Sequence, residues 1–178
     1  VVMSVTVVLF MMGFAALNIE QGLTLHAHSQ VRSAALLDIL TGLPNRHAMQ
    51  TAADLWTAKL ERDETYQAAV LTINLDGFKH INQLHGRAAG DMVLCQVAQR
   101  ISEELHDQDA LFRTAGDEFV VLSRGFRRNS QVTALADRIV AYLIEPIDIQ
   151  EMQLLITVSV GAASTFQDGR DVEGLLQK

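Results

Sequence analysis

One cysteine, Cys95, in 178 residues leaves no pair to bridge. That excludes an internal disulfide framework and fits a reducing compartment. The surrounding helical pattern places Cys95 in a core rather than at a nucleophilic site. Clustered basic residues are also missing: 14 Lys and Arg stand against 21 Asp and Glu, for a formal charge of −7 and a pI near 5.3. A general nucleic-acid binder needs concentrated positive charge to neutralise phosphates, so that class is excluded and any phosphate ligand must be held locally. Only two prolines occur, Pro44 and Pro146: the first lies in a break between two helical segments, and the second stops a helix.

Charge is wholly absent from residues 1–17. A membrane span needs about 20 apolar residues, and no basic flank or small-residue cleavage site marks a signal peptide. The expectation is a transmembrane helix over 1–17, truncated at its start, with a buried core helix as the alternative. Arg32 and Arg46 favour a cytoplasmic location for the chain downstream of that helix. Residues 18–37 are more polar but helix-compatible and free of proline, the pattern of a helical stalk able to pair with a second copy. Because the run begins without an initiator methionine and residues 174–178 stop in an uncapped helical pattern, the chain is expected to be a piece of a longer protein. Its length suits one domain with its own core, over 38–178.

Asn45 predicts the N-cap of a helix from Arg46 to about Arg62. Residues 68–75 form an apolar, β-branched run bounded by Asp76-Gly77, the mark of a buried central strand. A short helix over 78–84, a turn over 86–90, and a helix opened by Asp91, with Met92, Val93, Val97 and Ile101 inside, come next. Another helix spans 130–143, and residues 147–164 read as one hairpin whose second strand is 154–160. Between these lies Phe112-Arg113-Thr114-Ala115-Gly116-Asp117-Glu118-Phe119, adjacent carboxylates at a glycine turn between strand-like runs. Alone, it is either a solvated hairpin tip or half of a metal–triphosphate site.

Taken with Asp38-Ile39-Leu40-Thr41-Gly42-Leu43-Pro44-Asn45-Arg46 and Asn74-Leu75-Asp76-Gly77-Phe78-Lys79-His80-Ile81-Asn82, the hairpin resembles the signature of the GGDEF domain family. These are the diguanylate cyclases of bacterial cyclic-di-GMP signalling, and the resemblance covers residues 36–178. It implies an α/β (α+β) fold like the nucleotidyl cyclases and the polymerase palm, a five-stranded mixed sheet wrapped by helices. It also implies a homodimer in which each domain holds one GTP, with Mg2+ or Mn2+ bridging the phosphates. The stalk and the domain would both pair, at the bacterial inner membrane with the domain in the cytoplasm. An EAL phosphodiesterase domain would follow in the full-length protein.

Carried over residue by residue, the resemblance gives Asp117 and Glu118 catalytic roles at the tip. Asn82 and Asp91 match guanine-reading positions, where a carbonyl and a carboxylate suit the donors of the base edge. Lys79 matches a phosphate contact, Arg113 matches an arginine before the tip that either pairs with a neighbouring carboxylate or touches the ligand, and backbone N–H groups near Gly77, Phe78 and Gly116 suit phosphate oxygens. For metal, Asp117 supplies one carboxylate, but the partner position holds neutral Asn74. Asp76 lies on the same face as a possible substitute, displaced by about 7 Å along the strand. Ala115 replaces the first signature glycine, at a cost on the order of 1 kcal/mol if that position needs a left-handed backbone. The product-inhibition motif of the family reads His106-Asp107-Gln108-Asp109, with histidine in place of a bidentate arginine. The leading expectation is GTP binding with weak or absent cyclase activity and a regulatory role. The alternatives are an active diguanylate cyclase and a dimerisation module without nucleotide.

Overall fold

A computed structural model describes residues 36–149 and 152–177. The membrane helix expected over 1–17, and the stalk over 18–37 apart from its last two positions, lie outside them. Among the described residues no helix is long and apolar enough to cross a membrane. Leu37–Lys178 make up one compact unit.

Asn45 caps the first helix, α1 (Arg46–Arg62), its side-chain oxygen accepting from the amides of His47 and Ala48 at 3.0 and 3.2 Å. The apolar run forms β1 (Ala68–Leu75), buried except at Thr72 and Asn74. Two helices follow, α2 (Phe78–His85) and α3 (Arg87–Glu104), joined at Gly86, whose φ of 84° requires glycine. The hairpin is β2 (Ala110–Ala115) and β3 (Glu118–Arg124), and α4 (Asn129–Leu143) comes next. Two three-residue strands, β4 (Ile147–Ile149) and β5 (Met152–Leu154), pair with each other, before β6 (Val158–Ser164) and a last turn of helix, α5 (Val172–Leu175).

The principal sheet has the order β2-β3-β1-β6, and each of its pairs is antiparallel. Strand alternation divides the core in two. Ala69, Leu71, Ile73 and Leu75 face one way, packing with Val93, Val97 and Ile101 of α3 and Leu135 and Ile139 of α4. Ala68 and Val70 face the other way, against Met49, Ala53 and Leu60 of α1 and Val172 and Leu175 of α5. Helices thus cover both faces, and the C-terminal end of β1 emerges between them beside the hairpin tip.

Several expectations are corrected. The five-stranded mixed sheet is, among the described residues, a four-stranded antiparallel sheet with a separate β4–β5 ribbon. The reason lies at 155–157: these residues leave β5 and redirect the chain, so 147–164 is not one hairpin and β6 pairs along β1 instead. Gly90 and Asp91 sit inside α3 rather than at its start, because the break falls at Gly86. Met92 is 37% exposed, since the buried stripe of α3 runs through Ala89, Val93, Val97 and Ile101. Cys95 is exposed, its thiol 3.6 Å from the Leu40 carbonyl, rather than in the core.

Candidate functional site

The turn after β1 leads straight into α2. Gly77, with φ 67°, reverses the chain directly into α2, and no side chain caps that helix end. A helix N-terminus left uncapped presents backbone N–H groups and a partial positive charge to anions. Lys79, in the first turn, is exposed and takes part in no ion pair among the described residues.

The hairpin tip lies beside the end of β1 and is tied down on two sides. The Leu75 amide donates to the Asp117 carbonyl at 3.3 Å, fastening the tip to the end of β1. Arg113 holds it from the other side, its Nε and Nη2 donating to the Gly116 carbonyl at 3.0 and 2.6 Å. The Nη1 of the same guanidinium pairs with Asp38 at 2.7 Å. Arg113 is therefore committed to the protein, linking the loop before α1 to the tip. Burial pushes the Asp38 carboxyl up, but the Thr41 hydroxyl and amide and the Arg113 guanidinium outweigh that and hold it below the usual carboxylate range. Ala115 is the last residue of β2. The ladder shifts register between Arg113 and Ala115, and the glycine of the tip with a positive φ is Gly116, at 22°.

Four acidic or amide positions lie at this end of the sheet: Asn74, Asp76, Asp117 and Glu118. Asn74 stands in register with Glu118 on β3 and with Ser159 on β6. Glu118 accepts a hydrogen bond from the Thr114 hydroxyl. Asp76 accepts one from the Ser159 hydroxyl at 2.7 Å, while its amide donates to the Thr157 carbonyl at 2.9 Å. Asp117 is half-buried at the tip. Among the described residues no group of three or more His, Cys, Asp or Glu is arranged to hold a metal.

Asn82 lies on α2, half-buried, and its side-chain amide makes no hydrogen bond among the described residues. It rests against Gly90 of α3, beside the exposed Asp91. Gly90 is a residue that sequence reasoning missed by assigning it to a turn. The available signal was a glycine inside the continuous helical pattern Ala88-Ala89-Gly90-Asp91-Met92-Val93, a position that needs a packing reason.

The fold is a mixed α/β domain, an antiparallel sheet with helices on both faces and an acidic hairpin tip beside the end of β1. The family model described as "Diguanylate cyclase, GGDEF domain" matches residues 35–178. The chain is 37% identical over 154 residues to the cyclic di-GMP phosphodiesterase NbdA of Pseudomonas aeruginosa, covering 85% of this chain and 19% of that protein. It is 35% identical over 144 residues to the bifunctional diguanylate cyclase/cyclic di-GMP phosphodiesterase MucR of the same organism, covering 81% and 21%. The solved GGDEF domain of TpbB (YfiN), also from Pseudomonas aeruginosa, matches with a TM-score of 0.75 at 32% identity over 79% of this chain and 82% of that one. The chain belongs to the GGDEF domain family. It spans about a fifth of the length of the two curated relatives.

Proposed function

We propose that this chain is the GGDEF domain of a membrane-anchored protein of bacterial cyclic-di-GMP signalling. It binds GTP, has weak or no diguanylate cyclase activity, and acts as a regulatory input. The protein pairs as a homodimer through stalk and domain, and a further domain such as an EAL phosphodiesterase carries the output. Lys79 and the backbone around Gly77 and Phe78 take the phosphates, and Asn82 and Asp91 read guanine. A magnesium or manganese ion fits this donor set when it arrives on the nucleotide, because such ions bind through one or two carboxylates plus phosphate oxygens. Asp117 would hold it, with the Asn74 amide oxygen as a weaker second donor. The ion would supply neutralisation of charge on the phosphates.

The observation that carries this reading is the neutral Asn74 at the end of β1, in register with Glu118 and adjoining the tip that presents Asp117. Phosphate and base positions are retained, while the charge that would fix a catalytic ion is reduced. Relatives at similar identity are named for phosphodiesterase activity alone or for both activities, so family membership does not itself imply cyclase turnover. The name of MucR favours, as the second reading, an active cyclase.

The test incubates the intact chain with GTP and magnesium or manganese, then titrates it with a non-hydrolysable GTP analogue. Saturable analogue binding with little or no cyclic di-GMP is the expected result. Steady product formation at ordinary enzymatic rates favours the second reading. Absence of analogue binding at millimolar concentration favours a nucleotide-free dimerisation module.

A further inference from the structure

We infer that Gly90 is a positioning residue for base recognition: by lacking a side chain it lets the Asn82 amide lie against α3 in the orientation that reads guanine. The inference rests on the GTP reading above and adds to it a residue that touches no nucleotide.

Gly90 is buried in the first half of α3, where glycine is a poor helix former. Its backbone is not among the left-handed glycine positions, so conformation gives no reason for it. Space does. A Cβ built on Gly90 would lie 2.0 Å from the Asn82 side-chain oxygen, 2.9 Å from its Cγ and 3.3 Å from Cζ of Phe78. The first two distances are closer than any real contact.

Phe78 and Asn82 are four residues apart on α2 and so share a face, and that face meets α3 at Gly90. The buried Phe78 ring is fixed by the core. Asn82 is different: half-buried and without a hydrogen bond among the described residues, its amide can turn. A methyl group at residue 90 would therefore be absorbed by rotation of Asn82 more readily than by movement of either helix. The cost would fall on the direction of the amide and not on the fold. A side-chain carbonyl reads a guanine edge only when aimed at its N–H donors, so a turned Asn82 would lose discrimination while phosphate contacts at the start of α2 persist.

The experiment measures binding of non-hydrolysable GTP and ATP analogues, with magnesium, to the intact chain and to G90A, N82A and the double variant. Circular dichroism reports folding. In G90A the guanine-over-adenine preference is expected to fall at least tenfold, with affinity for the ATP analogue within twofold of wild type. In the N82A background, where the obstructing amide is gone, adding G90A should change the preference by less than twofold. The double variant also keeps the test decisive should G90A alone unfold, since removing the Asn82 amide makes room for the methyl group. A folded G90A with the wild-type preference overturns the inference, as does an equal effect of G90A with and without Asn82. A wild-type chain that binds neither analogue overturns the GTP reading itself, and the inference falls with it.

Discussion

Asn74 stands directly across the β1–β3 ladder from Glu118, the residue that follows Asp117. One end of the sheet thus brings a neutral amide beside two consecutive carboxylates. An amide oxygen can coordinate a hard cation but carries no net charge to hold it. Replacing Asn74 with aspartate adds that charge at the same strand position without changing side-chain length. Asn74→Asp is expected to raise cyclic di-GMP formation by about tenfold or more, measured with GTP and either ion. An unchanged rate would show that the amide is not the limiting defect.

Asp76 offers a substitute carboxylate only if it is available. Its oxygen already accepts from Ser159 and its amide is bonded to Thr157, so the structure gives it a fastening role between the ends of β1 and β6. Asp76→Asn retains an acceptor for Ser159, and its affinity for a GTP–magnesium complex should remain within about twofold of wild type. Asp117→Asn should weaken the same complex by about tenfold. Equal losses in the two variants would mean that Asp76 does reach the ion.

The elements that propensity and local pattern dictate were legible in the sequence. The Asn45 cap, the helix Arg46–Arg62 and the strand Ala68–Leu75 have the bounds expected from a capping side chain and from an apolar run ended by Asp-Gly. What failed depends on partners distant in sequence. Gly90 read as a turn because the close approach of Asn82 that explains it is invisible along the chain. Residues 155–157 gave no sign that they carry the backbone from a small ribbon into the main sheet. At the candidate site, Lys79, Asn82, Asp91 and Asp117 rest on the motifs alone. For Arg113 the sequence leaves a neighbouring carboxylate and a ligand equally open, and the structure shows the carboxylate, Asp38, together with the Gly116 carbonyl.

The Asp38–Arg113 pair makes the hairpin tip sensitive to acid. The folded-state pKa of Asp38 lies below its unfolded value, so the stabilisation is present at neutral pH and is lost as pH falls through the folded value, below about 4. Arg113→Ala removes the pair and both bonds to Gly116 together. Because the Arg113 side chain is only 10% exposed, the expected loss is about 1–3 kcal/mol in urea unfolding at pH 7. The difference between wild type and variant should shrink toward pH 3. A pH-independent difference would assign the effect to the Gly116 bonds alone.

Cyclic di-GMP should bind weakly at a cleft of about 340 Å³ that includes His106, Asp109, Ser123 and Arg138. One oxygen of Asp109 accepts from the His106 amide at 2.9 Å and the other from the Ser123 hydroxyl. Arg138 is paired with Glu104 at 3.0 Å. Asp109 and Arg138 are thus engaged within the protein, and His106 supplies no guanidinium fork. Equilibrium dialysis with cyclic di-GMP should detect no binding at this cleft below about 100 µM. His106→Arg adds a bidentate donor and should improve affinity by about tenfold or more. Micromolar binding by the wild-type chain, lost on replacing His106 with alanine, would instead make the histidine a working phosphate ligand.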